Sequence, residues 1–154
     1  MELAAAVVGV IDIVTRTSSG VWSLCDQWND APRELHLLRN DLTRASQLFG
    51  EVENSFADWK EKYARLRRSR PDSVRALLAV LRYGNTIITE LKTSIDRLLR
   101  QGQPPGQTRA ASQLVVAKRR KLEWLAKRSR ILKNQKALVD VMGEVCLFLT
   151  SLNM

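Results

Sequence analysis

The sequence is poor in the residues that do most protein chemistry. One histidine and two cysteines occur in 154 residues, with only four prolines and seven glycines. A lone His36 leaves almost no route to a metal site or to paired acid–base chemistry. Cys25 and Cys146 lie at opposite ends of the chain, in no metal-ligand spacing and no secreted disulfide framework. Two sparse thiols beside apolar residues fit a reducing compartment. The scarcity of glycine and proline argues against an all-β or low-complexity chain. There is no glycine-rich phosphate loop, no Cys/His cluster and no nucleophile elbow. Glu51 and Glu53 are the closest approach to paired carboxylates, and they read as a solvated helix face. No catalytic, cofactor-binding or metal-ligating residue is expected, and the chain is not read as an enzyme.

No leader is expected either. The apolar run from Leu3 to Val14 follows Glu2 rather than a basic segment, and Asp12 interrupts it. Twelve residues are too few to cross a bilayer core, which needs about 20 in a helix. A cytoplasmic chain is the expectation, folded as one domain over 1–154, since about 100–150 residues is the usual domain size. A chain of this length buries enough surface to need no disulfide or metal.

What is present is helical periodicity. Leu3, Ala6, Val7, Val10, Ile13 and Val14, then Val21, Leu24 and Trp28, recur at helical spacing, with weak helix formers across Thr15–Gly20. Asn29–Pro32 punctuates the chain, with Asn29 or Asp30 as a cap for the next helix. Leu35, Leu38, Leu42, Ala45, Phe49, Val52, Phe56, Trp59, Tyr63 and Leu66 then alternate in steps of three and four. Pro71 stops that helix, and Asp72 or Ser73 caps another. Its stripe is Val74, Leu77, Leu81, Gly84, Ile88, Leu91, Ile95 and Leu98; Gly84 marks either a close approach or a kink. The Gln101–Gln107 stretch reads as a loop. Leu114, Val115, Leu122, Trp124 and Leu125 open the last segment, and Ile131, Leu138, Val139, Met142, Val145 and Leu149 continue it. Helices over about 2–28, 32–68, 73–100 and 109–152 predict an all-α, antiparallel four-helix bundle. A fifth helix follows if the last segment breaks near 127–130. The expected core comprises Leu35, Leu38, Leu42, Phe49, Val52, Phe56, Leu77, Leu81, Ile88, Leu91, Trp124, Leu125, Leu138 and Met142.

The net charge of +9 is concentrated. Arg109, Lys118, Arg119, Arg120, Lys121, Lys127, Arg128, Arg130, Lys133 and Lys136 share one stretch with a single acid, Glu123. The rest of the chain is neutral. Three readings compete: a solvated helix face, an anchor on anionic lipid, and a nucleic-acid surface. The last is least favoured, because only Trp124 accompanies the cations as a stacking aromatic.

Three cues carry a resemblance. The opening Leu3-Ala-Ala-Ala-Val-Val-Gly-Val-Ile-Asp-Ile-Val14 resembles the start of fungal HeLo and HeLo-like domains. The spacing Leu35-x-x-Leu38-x-x-x-Leu42 is similar to their second helix. So is the element Lys118-Arg-Arg-Lys-Leu-Glu-Trp124-Leu125-Ala-Lys127, followed by a Leu-rich helix. These domains head STAND (NOD-like) immune receptors and are related to the four-helix cell-death domains of plant coiled-coil resistance proteins and of the mixed-lineage kinase-like necroptosis effector. The resemblance implies a cell-death execution domain that oligomerises on activation, moves to the plasma membrane and attacks it with its first helix. It makes Leu3, Val7, Val8, Ile11 and Val14 insertion candidates. Glu2 and Asp12 become pore-lining candidates, with Asp12 alternatively pairing Arg16 one turn on. Lys118, Arg119, Arg120, Lys121, Lys127, Arg128, Arg130 and Lys133 would contact anionic lipid. The partners implied are further copies of the chain, lipid, and, if the chain is an excised domain rather than a short stand-alone protein, a downstream nucleotide-binding module of the same receptor. A helix that must leave the bundle is expected to pack more weakly than the middle helices. The alternative is an adaptor that self-associates or binds a partner helix and never enters lipid.

Overall fold

The computed structural model describes the backbone of residues 2–57, 60–101 and 109–152, and side chains within 3–55, 64–101, 116 and 118–151. It contains five helices and, among the described residues, no strand: α1 (Glu2–Gln27), α2 (Arg33–Ala57), α3 (Lys60–Ser69), α4 (Pro71–Arg100) and α5 (Arg109–Leu152). The all-α bundle expected from the stripes is the fold. The break expected near 127–130 is not observed. The 32–68 segment is described as two helices, α2 ending at Ala57 and α3 starting at Lys60, whereas α5 runs unbroken through 127–130. Lys127, Arg128, Ser129 and Arg130 include neither Gly nor Pro, so the backbone has no reason to break there. The Thr15–Gly20 stretch is likewise continuous helix within α1.

Burial follows the heptad rhythm. In α1 the buried positions are Leu3, Val7, Val10, Val14, Thr17, Val21 and Leu24, and Trp28 just past its end continues the alternation in steps of four and three. Thr17 fills the place where the apolar sequence pattern lapses, and its hydroxyl donates to the Ile13 carbonyl at 2.7 Å. In α2, Leu35, Leu38, Leu42, Ala45, Phe49 and Val52 are buried. The side chains of Phe56, Trp59 and Tyr63 lie outside the described residues. The whole α4 stripe from Val74 to Leu98 is buried, joined by Ile87 and Ser94. Pro71 starts α4 rather than merely ending the helix before it: it occupies the first turn, Arg70 is the N-cap residue, and neither Asp72 nor Ser73 caps it. In α5, Trp124, Ile131, Leu138, Val141 and Val145 are buried and Met142 is half-buried against them. Leu125 is not a core residue: it is 59% exposed, because the one-residue step from Trp124 turns it about 100° away from the core.

The four long helices α1, α2, α4 and α5 alternate in direction along the chain, yet not every neighbour is antiparallel. α1 packs on α2 and α4, and α5 packs on α4 and α2, while α1–α5 and α2–α4 are the diagonals. A Cβ at Gly9 would meet Asn85, and one at Gly20 would meet Ile95, so α1 and α4 run side by side in the same direction. Arg128 and Gln135 of α5 reach Glu34 and Asp41 of α2 in the same order, so that pair is parallel as well. α4 and α5 are antiparallel: Gly84 faces Val141, and Leu98 faces Arg120. A Cβ on Gly84 would sit 3.2 Å from Val141 Cγ1, so this glycine serves close approach and not a kink.

Candidate functional site

The α1 candidates divide by face. Leu3, Val7 and Val14 are buried in the core at 2% exposure or less, Ile11 is half-buried, and Val8 is 56% exposed. The side chain of Glu2 lies outside the described residues. Asp12 pairs with Arg16 at 3.3 Å, both side chains being largely solvent-exposed. The helix packs extensively: its contacts with α4 exceed those of any other pair. The expectation of a weakly held first helix is therefore overturned. Close approach is the cause, since Gly9 and Gly20 bring α1 against α4 along its length. The unbroken helix also extends the apolar segment. Leu3–Gln27 is 25 residues with a mean hydropathy of 1.3, long and apolar enough to cross a bilayer, a property that buried core helices share.

The basic stretch radiates around α5 and reaches three different surroundings. Arg120 is turned inward, 4% exposed, with Nε donating to the Leu98 carbonyl at 3.3 Å and Nη2 to Gln27 Oε1 at 3.0 Å. It ties α5 to the ends of α1 and α4 and is not available as a lipid contact. Burial lowers its pKa by disfavouring the charged form, although guanidinium stays protonated throughout the accessible range. Arg128 forks onto Glu34 of α2 through Nε at 3.3 Å and Nη2 at 3.1 Å. The Glu34 carboxyl is held below its ordinary value by its own backbone N–H in the first turn of α2 and then by Arg128.

Lys118, Arg119, Lys121, Arg130 and Lys133 are exposed. Leu122, 67% exposed, and Leu125 share the outward face of α5 with Lys118 and Lys121 by helical spacing. A surface carrying both lysines and leucines suits the boundary of an anionic bilayer, where charge attracts and apolar side chains enter the headgroup layer.

Lys127 is half-buried and faces α4. It lines an open groove of about 580 Å³ with Glu90 of α4 and Ala126, Ser129, Arg130, Lys133 and Asn134 of α5. Asn134 is 7% exposed, and its Nδ2 is buried with no hydrogen-bond partner.

Sequence reasoning missed Thr17, the inward turn of Arg120, the Glu34–Arg128 link and Asn134. For Arg120 and Asn134 a signal existed. Arg120, Lys127 and Asn134 stand seven residues apart, one heptad column of α5 in which the seam is polar. The apparent interruption near 127–130 was this column, a change of side chain rather than of backbone. Near the other seam, Arg39 stacks over the Trp22 ring at 4.3 Å and holds α1 to α2. Among the described residues no group of His, Cys, Asp or Glu is arranged to hold a metal ion. Comparison with protein-family models, curated proteins and solved structures returns no match.

Proposed function

We propose that this bundle is a membrane-acting signalling module of the cell-death type. In this reading the outward face of α5 docks it on anionic lipid, and α1 is the element delivered to the bilayer once copies cluster. The observation that carries the reading is the pairing of an apolar 25-residue α1 with an outward α5 face that combines Lys118, Lys121, Leu122 and Leu125. The sequence likeness to HeLo-like domains supports the immune-receptor context, the self-association and the move from cytoplasm to plasma membrane. The depth of α1 in the core makes release a driven event. A resting monomer would dock without perturbing the membrane, and clustering would have to offset the lost α1–α4 packing.

A disulfide between α1 and α4 tests this. Gly9 faces Asn85 across the α1–α4 interface, so Gly9→Cys with Asn85→Cys is the pair to cross-link, in a background of Cys25→Ser and Cys146→Ser. Forced dimerisation on phosphatidylserine vesicles should give leakage when the disulfide is reduced and none when it is oxidised. Equal leakage in both states would defeat the insertion step.

The same burial of Leu3, Val7 and Val14 favours a second reading, an adaptor whose α1 never leaves the bundle. Signalling by the oxidised, locked protein would support the adaptor.

A further inference from the structure

We propose that the groove between α4 and α5 is a binding site for a clustered-phosphate ligand, distinct from the lysine–leucine face that docks the bundle on lipid. Three observations converge on it. Lys127, Arg130 and Lys133 enter the groove without an ion-pair partner among the described residues. A smaller adjoining recess shares Glu90, Lys127 and Arg130 and adds Arg97, Thr93 and Ser94. Four cations thus surround one carboxylate, and the hydroxyls of Ser129 and Ser94 supply neutral donors, while that of Thr93 donates to the Thr89 carbonyl at 3.0 Å.

The second observation is Asn134. A buried amide nitrogen without a partner is costly, about 1–3 kcal/mol in a protein interior, and such groups are rare. Asn134 lines the groove, and an oxyanion that reached its amide would offer that donor the acceptor it lacks.

The third is the seam itself. At the corresponding heptad positions α4 carries Leu77, Gly84, Leu91 and Leu98, all buried, whereas α5 carries Arg120, Lys127 and Asn134. Stability would be served by apolar residues at Lys127 and Asn134, so polar ones there point to a ligand.

The chemistry selects the ligand class. Ala126 is the sole apolar residue along the larger groove, which disfavours an apolar ligand. The volume lies within the range of small-molecule sites, about 300–1,000 Å³, and exceeds what one phosphate needs. Several phosphates on one small scaffold would spread across Lys127, Arg130, Lys133 and Arg97, with Glu90 setting orientation by repulsion. A phosphoinositide headgroup and a free polyphosphate share that chemistry.

Calorimetry on the full chain at fixed ionic strength, with tripolyphosphate as the soluble probe, tests the site. Lys127→Gln/Arg130→Gln should weaken binding at least tenfold. Lys118→Gln/Lys121→Gln, which removes the same charge from the outward face, should weaken it less than twofold. Ser129→Glu, at an exposed rim position, should abolish binding and serves if the groove double variant melts early. Equal weakening by the two double variants, or no binding of the probe, would overturn the proposal. Flotation with vesicles of matched surface charge then separates the sources. A preference for phosphatidylinositol 4,5-bisphosphate over phosphatidylserine that the groove variant loses supports the site with a lipid headgroup as its ligand. Tripolyphosphate binding without any vesicle docking supports it with a free ligand, and it is then the membrane reading that fails.

Discussion

Single residues decide how closely these helices approach. Gly84 sits against Val141 with no room for a branched side chain, so Gly84→Val should lose about 1–3 kcal/mol to overpacking. Gly50 and Gly143 have nothing within 4 Å of a would-be Cβ and lie inside helices. Gly50→Ala and Gly143→Ala should each add about 0.5–1 kcal/mol, through the entropy of the unfolded chain and better helix propensity. Urea denaturation reads both signs. Arg120 is the second test at this scale. Arg120→Ala strands the Leu98 carbonyl and Gln27 beside a cavity and should cost about 1–3 kcal/mol, whereas Lys118→Ala, on the same basic run, should stay within about 0.5 kcal/mol. A result that ranks the two alike would mean the run is a uniform solvated face.

Among the elements, α1 is where the sequence pattern misleads most. Its nearly continuous apolar surface conceals which face is inside. The fold resolves this into a buried 3–7–10–14–17–21–24 seam and an outer face that includes Val8. Val7→Glu places an unpaired carboxylate at 1% exposure and should unfold a domain whose whole stability is about 5–15 kcal/mol, visible as lost helicity by circular dichroism. Val8→Glu should leave the fold intact, which makes it the substitution with which to probe lipid contact. The stripes of α2 and α4 were legible because each apolar residue falls on a three–four alternation and no polar residue competes for the seam. The α5 pattern was less legible because its seam is partly polar. Helical spacing places Arg120 inside, but composition alone assigns an arginine to water.

In the whole molecule, the bundle is cross-tied unequally. The α2–α5 contact is the least extensive of its four main interfaces, and polar pairs bridge it: Arg128 with Glu34, and Gln135 Nε2 donating to Asp41 Oδ2 at 2.8 Å. Because Glu34 is held below its ordinary carboxyl value of 4.5, the stability it contributes is fully present above that pH and is lost as the pH falls through its lower folded value. Arg128→Gln should shrink this acid-range dependence while leaving Glu34 still somewhat depressed by its backbone N–H. The expected effect on stability near neutral pH is small, about 0.2–1 kcal/mol, since the pair is partly solvated. Proton-monitored NMR of the Glu34 carboxyl checks the direction, and an unmoved titration would mean that Arg128 does not hold it.

The sequence by itself determined the all-α class, the seams of α2 and α4, the end of α4 and the concentration of positive charge on the last helix. Local spacing suffices for these, because a helix sorts its residues onto faces through its own 3.6-residue period. Only the tertiary structure decided the parallel pairing of α1 with α4, the depth at which α1 is held, the destinations of the cations and the orphan amide of Asn134. Those depend on which helix lies beside which, and on residues such as Glu34 and Arg128 that are far apart in the chain and meet only after packing. The scarcity of histidine and cysteine leaves few routes to metal or imidazole chemistry, and the groove that α5 forms with α4 is where, among the described residues, unpartnered charge and an unsatisfied donor come together.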